Sequence, residues 1–373
     1  MSKKILVTGG AGFIGSHLVD RLVDESNSVS ILDNLEPQVH GGKIPEHANA
    51  NAEYIIGDVT NKEDVQKALQ DAEVVFHLAA QVGVGQSMYD IARYTKDNAF
   101  GTALLLDTII NGNFPVEKII VASSMSVYGE GAYECENCGI VYPKLRNKEQ
   151  LKQKEWEMRC PSCGKPARPA PTNEEKPLHP TSVYAISKKT QEELALNVGK
   201  AYSIPVVALR YFNVYGPRQS LGNPYTGVAA IFSSRIKNNN QPIIFEDGMQ
   251  SRDFIHVSDI VEANMLAMKN SNADYDYFNV GTGKAVTVKQ IAEILIKLNE
   301  KNLSALIENK FRDGDIRHCF ADISKIRRKL SFKPKVDFES GMKSLVSWSQ
   351  DANATDRVEQ ALGELKERGL LER

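Results

Sequence analysis

The run Lys4-Ile5-Leu6-Val7-Thr8-Gly9-Gly10-Ala11-Gly12-Phe13-Ile14-Gly15 constrains the fold more than any other stretch of this sequence. A buried strand over residues 4–8 enters glycines at 9, 12 and 15, and an amphipathic helix follows to about Asp24. Glycines so spaced between a strand and a helix let bare backbone approach a pyrophosphate held at the helix N-terminus. A second strand, about 28–32, ends at Asp33. A carboxylate there can accept both ribose hydroxyls of a dinucleotide and repels a 2′-phosphate. No Lys or Arg follows it before Lys43, so NAD is expected rather than NADP. Further short apolar runs end at Gly57-Asp58, at Phe76-His77-Leu78-Ala79-Ala80 and at Val121-Ala122-Ser123-Ser124, with helical stretches between them. This alternation predicts an α/β chain with a Rossmann-type doubly wound parallel sheet and ligands at the carboxyl ends of its strands. Asp58 can meet the adenine edge there, or serve only as a strand-end turn residue.

The chain has 373 residues, enough for one extended domain or two sharing a cleft. We expect a Rossmann domain over 1–215, interrupted by an insertion at 130–172, then a smaller mixed α/β substrate lobe over 216–350. Segments of the two can interleave. Residues 351–373, with spaced leucines among charges, read as a packed surface helix. A net charge of −2 asks for neither nucleic acid nor an anionic membrane. No apolar run approaches the roughly 20 residues of a membrane helix, and the N-terminus runs straight into a strand, so a cytoplasmic protein is expected.

Tyr184-Ala185-Ile186-Ser187-Lys188 carries the chemistry. Residues four apart stack on one helix face, and Tyr184 alone among thirteen tyrosines has a lysine at that spacing. A phenol ionises near pH 10. A neighbouring ammonium favours the phenolate, which makes the pair an acid–base unit for a proton on a sugar or alcohol oxygen.

Four of the five cysteines form two C-x-x-C-G knuckles, Cys135/Cys138 and Cys160/Cys163, separated by 21 residues. Four thiolates so arranged suit one tetrahedral zinc with no position left for a catalytic water, so a structural site is expected. Redox dithiols are the alternative reading. Between Tyr133 and Ala170 eight Lys or Arg face five Asp or Glu. With zinc and four thiolates the net is about +1, weak support for a nucleic-acid role. The insertion lies between Ser124 and Tyr184, so it must emerge beside the cleft. Cys319 is expected to be simply buried.

Together these residues resemble the extended short-chain dehydrogenase/reductase family, which acts mainly on nucleotide sugars. The likeness runs from Lys4 to about Trp348. It rests on the glycine loop, His77 to Ala80, Asn98 before Gly101-Thr102, Ser123-Ser124, Tyr184/Lys188, Leu209 to Arg218, Arg252 to Val257, and Gly314 to Arg317. The resemblance implies that Ser124 binds the reacting sugar oxygen, Tyr184 is the acid–base and Lys188 grips the nicotinamide ribose. By the same likeness Gly9, Gly12, Phe13, Ile14, Gly15, Asp33, Asn34, Asp58, Val59, Leu78, Ala79, Ala80, Asn98 and Tyr211 would surround a tightly bound NAD. Asn213, Arg252 and Arg312 look like ligands of the nucleotide diphosphate, although plain salt bridges would also explain the arginines. Ser87, Ser126, Arg218 and Asp315 complete the implied substrate set.

In the sugar 4,6-dehydratases of this family an Asp-Glu pair follows the catalytic serine, and the decarboxylases carry a Glu there. Here Met125-Ser126 follows Ser124, the pattern of the C4 epimerases. Residues 32–41 and 82–89 resemble the subgroup that acts on dTDP-L-rhamnose, as does a four-cysteine insertion at this place. A homodimer through a helix bundle is also implied. Another nucleotide-sugar epimerase (UDP-hexose C4 or CDP-sugar C2), a 4-keto-sugar reductase and a non-catalytic NAD- or sugar-binding regulator are the alternatives.

Overall fold

The computed structural model describes residues 2–371. Seven parallel strands form the central sheet, in the order Asp276–Val280, Val206–Tyr211, Lys118–Ser124, Val74–His77, Lys4–Thr8, Ser28–Asp33, Glu53–Ile56. The chain runs outward in one direction through the first three strands in sequence, then crosses back over the first to continue the other way. That reversal opens a crevice between Lys4–Thr8 and Val74–His77 at their carboxyl ends, where doubly wound sheets bind ligands.

The central strands read as continuous apolar runs because both faces are covered. One face packs Ile5, Val7, Phe76 and Ile120 against the helix Phe13–Asp24 and the helix Val257–Lys269. The other packs Leu6, Val75, Ile119 and Val121 against Lys62–Leu69, Gly101–Asn111 and Val183–Tyr202. Burying side chains such as these stabilises the sheet by about 1.5–3 kcal/mol each. The helical region over residues 84–111 is in pieces. Val84–Ser87 and Ile91–Tyr94 lead into a π-helical turn, Thr95–Phe100, before Gly101–Asn111.

Beyond residue 212 a second core forms from Tyr215, Phe232, Phe254, Ile291 and Leu345, under the helices Val228–Lys237, Val288–Leu298 and Phe338–Asp351. The strand Asp276–Val280 returns from this region to the edge of the central sheet. Residues 132–170 hold a separate three-stranded antiparallel sheet of Ala132–Cys135, Gly139–Val141 and Arg168–Ala170. Its core is small: Tyr133, Cys135, Val141, Met158, Cys160 and Ala167. No helix among the described residues is long and apolar enough to cross a membrane.

Candidate active site

A continuous cavity of about 830 Å³ opens along the carboxyl ends of the sheet and runs into the C-terminal region. At its first end stands the glycine loop. Gly9 has φ +70°, and a Cβ there would sit 2.8 Å from the Cα of Ala79. A Cβ on Gly15 would strike the carbonyl oxygen of Gly9. The loop therefore keeps bare backbone against the cavity, as a pyrophosphate cradle requires. The Asp33 carboxylate accepts from the amides of Ala11 at 3.0 Å and Leu35 at 2.9 Å, which fixes it at the cavity wall. Asn34 donates to Asp58 at 3.0 Å. Burial pushes Asp58 up, but hydrogen bonds from Thr60 and Asn34 prevail and hold it below the usual carboxylate range. Asp58 is thus both a turn residue and an ionised lining group. Phe13, Ile14, Val59, Leu78, Ala79 and Ala80 line the same end.

These donors fit NAD, and the cavity also holds unpartnered polar atoms: the Ser126 hydroxyl and the side-chain oxygens of Asn213, Gln219 and Gln250. Buried polar groups without partners are costly and mark places where a ligand is accommodated. Asp33→Ala is expected to narrow the preference for NAD over NADP by about 10- to 100-fold, the loss of two charge-assisted hydrogen bonds and of the repulsion. Steady-state constants with each cofactor check this. Equal use of both by the unmodified protein would show that Asp33 does not select.

The catalytic candidates meet in the middle. Ser124 ends the strand Lys118–Ser124, and Ser182 caps the helix Val183–Tyr202 by accepting from the Ala185 amide at 3.1 Å. Tyr184 and Lys188 therefore lie in the first turns of that helix, and both line the cavity with Ser124 and Ser126. Burial raises the Tyr184 phenol above its ordinary value, opposed by a hydrogen bond with Ser124. Burial thus works against the acidity that the Tyr184/Lys188 spacing leads one to expect. The same burial draws Lys188 down to about 7, against the pull of Glu192 one turn further on. Glu192 is fixed by Arg210 at 3.0 Å and by the Ser123 hydroxyl at 2.6 Å.

Two candidates are engaged within the protein itself. Asn98 does not line the cavity. It is fully buried, its oxygen accepts from the Gln81 amide at 2.7 Å and its nitrogen donates to the Ser187 hydroxyl at 2.9 Å. It ties the loop after Val74–His77 to the catalytic helix. Ser87, also fully buried, donates to the Val84 carbonyl at 2.7 Å. Tyr211 lines the cavity, and its hydroxyl donates to Asn264 at 2.9 Å. His77, in the strand next to the cradle, bonds Thr8 and Thr102, and burial lowers it to about 3, so it is a neutral structural residue.

At the far end lie Asn213, Arg218, Arg252, Arg312 and Asp315. Arg218 pairs with Asp20 at 2.7 Å. Arg252 donates to the carbonyls of Ser251, Ile316 and Arg317, and Arg312 bonds Asp315 at 2.8 Å while covering the Phe245 ring. Sequence reasoning missed other lining residues. Gln38 bridges Gln86 and Asn223 at 3.2 and 3.0 Å, and Tyr225 and the helix Val358–Glu367 also form wall. None of these carries a local motif, since long-range packing alone brings them together.

The four knuckle sulfurs lie within 4.8 Å of one another, with Cys135 and Cys163 3.5 Å apart. Gly139 and Gly164, the glycine of each knuckle, both take left-handed backbone at φ +70° and +72°. The surrounding segment leans on the substrate end. Arg146 holds both carboxylate oxygens of buried Glu246, at 2.9 and 2.8 Å, and reaches the Asp315 carbonyl. Glu157 pairs with fully buried Arg317 and with His318, and Glu130 accepts from the backbone amides of both. Cys319 is buried, as its sequence context implies.

A glycine cradle with a strand-end aspartate, beside a Ser–Tyr–Lys set in one cavity, defines a dinucleotide-dependent enzyme working on a hydroxyl-bearing substrate. Comparison with known proteins agrees. The profile of the NAD dependent epimerase/dehydratase family matches residues 5–145, and that of GDP-mannose 4,6 dehydratase matches 164–345. A dTDP-L-rhamnose 4-epimerase of Burkholderia thailandensis is 36% identical over 93% of this chain and 94% of its own. The crystal structure of a UDP-glucose 4-epimerase of Thermotoga maritima with UDP-glucose has 35% identity and TM-score 0.75, covering 93% of this chain and 98% of that one. A UDP-glucuronic acid 4-epimerase of Bacillus cereus, in complex with UDP-glucuronic acid and NAD, has 27% identity and TM-score 0.76, covering 93% and 99%. The chain belongs to the NAD-dependent epimerase/dehydratase family, within the extended short-chain dehydrogenases/reductases.

Proposed function

We propose that the protein is an NAD-dependent nucleotide-sugar 4-epimerase that converts dTDP-L-rhamnose to dTDP-6-deoxy-L-talose through a transient 4-keto sugar. The observation that carries the reaction type is Ser124 and Tyr184 facing one cavity with no carboxylate at positions 125 and 126. Dehydration needs a further acid and base beside the serine, whereas inversion at C4 asks of the protein's own side chains only a proton moved on and off one oxygen, the C4 hydride being taken up and returned to the opposite face through the cofactor. Bound NAD supplies a reversible hydride acceptor. Tyr184 takes the C4 hydroxyl proton and returns it, Ser124 holds the same oxygen, and Lys188 supports the phenolate. Asp33 and the glycine cradle hold the dinucleotide, while Asn213, Arg252 and Arg312 would face the substrate diphosphate.

The dTDP-L-rhamnose assignment is supported by residues 32–41 and 82–89 and by the Burkholderia relative, while a UDP-glucose enzyme is nearly as similar. Offering dTDP-L-rhamnose, UDP-glucose, and CDP- and GDP-sugars, without external reductant, separates these. A product from the dTDP sugar at the highest kcat/KM supports the assignment. Preference for UDP-glucose would replace it.

The cysteine cluster is read as a structural zinc site. Tetrahedral Zn–S bonds of about 2.3 Å put sulfurs about 3.8 Å apart, close to the spacing found. A homodimer is proposed through the helices that carry exposed Ile91, Phe100 and Ile186.

A further inference from the structure

The helix Val358–Glu367 lies beyond residue 345, where the second family match ends. Its Ala361, Leu362 and Leu365 nonetheless face the cavity. Leu365 packs with Phe245, the ring beneath Arg312, and also approaches within 3.5 Å of where a Cβ on Gly85 would stand. One leucine thus spans from the loop around Gly85 to the arginine end of the site. The polar face of the same helix is tied as firmly. Glu364 accepts from the hydroxyls of Tyr225 at 2.6 Å and Tyr89 at 2.9 Å, and the two hydroxyls lie 2.5 Å apart. Hydrogen bonds from Tyr225 and Tyr89 hold the Glu364 carboxyl below its ordinary range, so it is the ionised acceptor. Arg368 covers the Tyr89 ring at 4.3 Å. The Asp313 backbone amide donates to the Leu370 carbonyl at 3.2 Å, fastening the segment after this helix to the loop that holds Arg312 and Asp315.

We infer that the C-terminal helix is part of the substrate site, and that Glu364 is a positioning residue that fixes Tyr225 in the wall and so sets affinity for the nucleotide sugar. The inference rests on the epimerase reading above. Tyr225 lines the cavity and Tyr89 stands behind it, on loops remote in sequence. The carboxylate is their common acceptor. Without it both phenols lose a charge-assisted hydrogen bond, and the loops around Gly85 and Asn223 lose a shared anchor. The glycine cradle and Asp33 are held by other contacts, so NAD binding is independent of this tie.

The test compares Glu364→Ala, Glu364→Gln and a chain ending at Ala352 with the intact enzyme, using dTDP-L-rhamnose and UDP-glucose as substrates. For whichever sugar the intact enzyme turns over, KM should rise about tenfold in Glu364→Ala, the loss of one charge-assisted hydrogen bond's worth of positioning. The truncated chain should lose at least as much, with kcat within about threefold and NAD content unchanged. Glu364→Gln keeps one acceptor oxygen and should recover part of the loss. An unchanged KM in both Glu364→Ala and the truncated chain, or an equal fall in kcat and NAD content, would overturn the inference. Failure of the intact enzyme to turn over either sugar overturns it too, through the reading it rests on, and is visible before any variant is made.

Discussion

Tyr184→Phe should fold, retain NAD and turn over at least about 100-fold more slowly, the lower end of general-base loss. The substitution removes one oxygen and leaves the ring in place at the start of the helix Val183–Tyr202, capped by Ser182. The groups that would hold the dinucleotide, the cradle and Asp33, are on other elements. Burial raises the phenol, with a hydrogen bond from Ser124 opposing it. An enzyme active near neutral pH therefore needs the charges of the loaded site, the Lys188 ammonium and the oxidised nicotinamide, to bring that group down. The sign follows: activity rises with pH as the phenol loses its proton, through a pKa below 10, and this limb disappears in Tyr184→Phe. A variant with near-native turnover would remove Tyr184 from the reaction.

The second large effect is expected at the cysteine cluster. Cys135→Ser or Cys160→Ser should release the metal and unravel residues of about 130–170 while the central sheet stays folded. The segment has only a six-residue core of its own. Metal binding by such a small unit is folding free energy, about 10–16 kcal/mol in zinc-finger peptides. The damage should travel to the substrate end, because Arg146 of this segment pairs with buried Glu246, and the more exposed Glu157 pairs with fully buried Arg317. Glu246 and Arg317 keep each other, and Arg317 keeps Asp247, so the ion-pair network is weakened and free to shift rather than abolished. Arg252 donates to the carbonyls of Ile316 and Arg317, so the diphosphate candidates shift with them. KM for the nucleotide sugar should therefore rise more than the Kd for NAD. Elemental analysis should find about one zinc per native chain, and chelation should reproduce the defect. Hydrogen exchange localises the unravelling. A metal-free protein with full activity and an ordered insertion would refute both the zinc and its supporting role.

Much of this was legible because it is local. The glycine spacing, Asp33 and the Tyr184/Lys188 pair each sit within one strand–turn–helix unit, where backbone sterics and helical periodicity fix geometry at short range. Residues joined only by the fold were harder. Ser87 reads as a polar residue in a loop beside the site, yet its hydroxyl is consumed by Val84 one turn back. Asn98 carries a family motif, and the structure gives it to Gln81 and Ser187. The last helix looked like surface because its apolar spacing says that one face is buried, not what it is buried against. Glu364, Tyr225 and Tyr89 are separated by more than a hundred residues, and no pattern in a single sequence joins them. Burial at Tyr184 is hidden for a related reason: charge neighbours can be read from spacing, but the depth of burial cannot.

The central claim is that hydride leaves and returns within one site while Tyr184 moves the proton. It is tested most directly by incubating the NAD-loaded enzyme with dTDP-L-rhamnose deuterated at C4, without external reductant. The account predicts the C4 epimer with its deuterium retained at C4 and with no net change in NAD. Inversion with loss of that deuterium to water, or turnover that requires added NADH or NADPH, would contradict it.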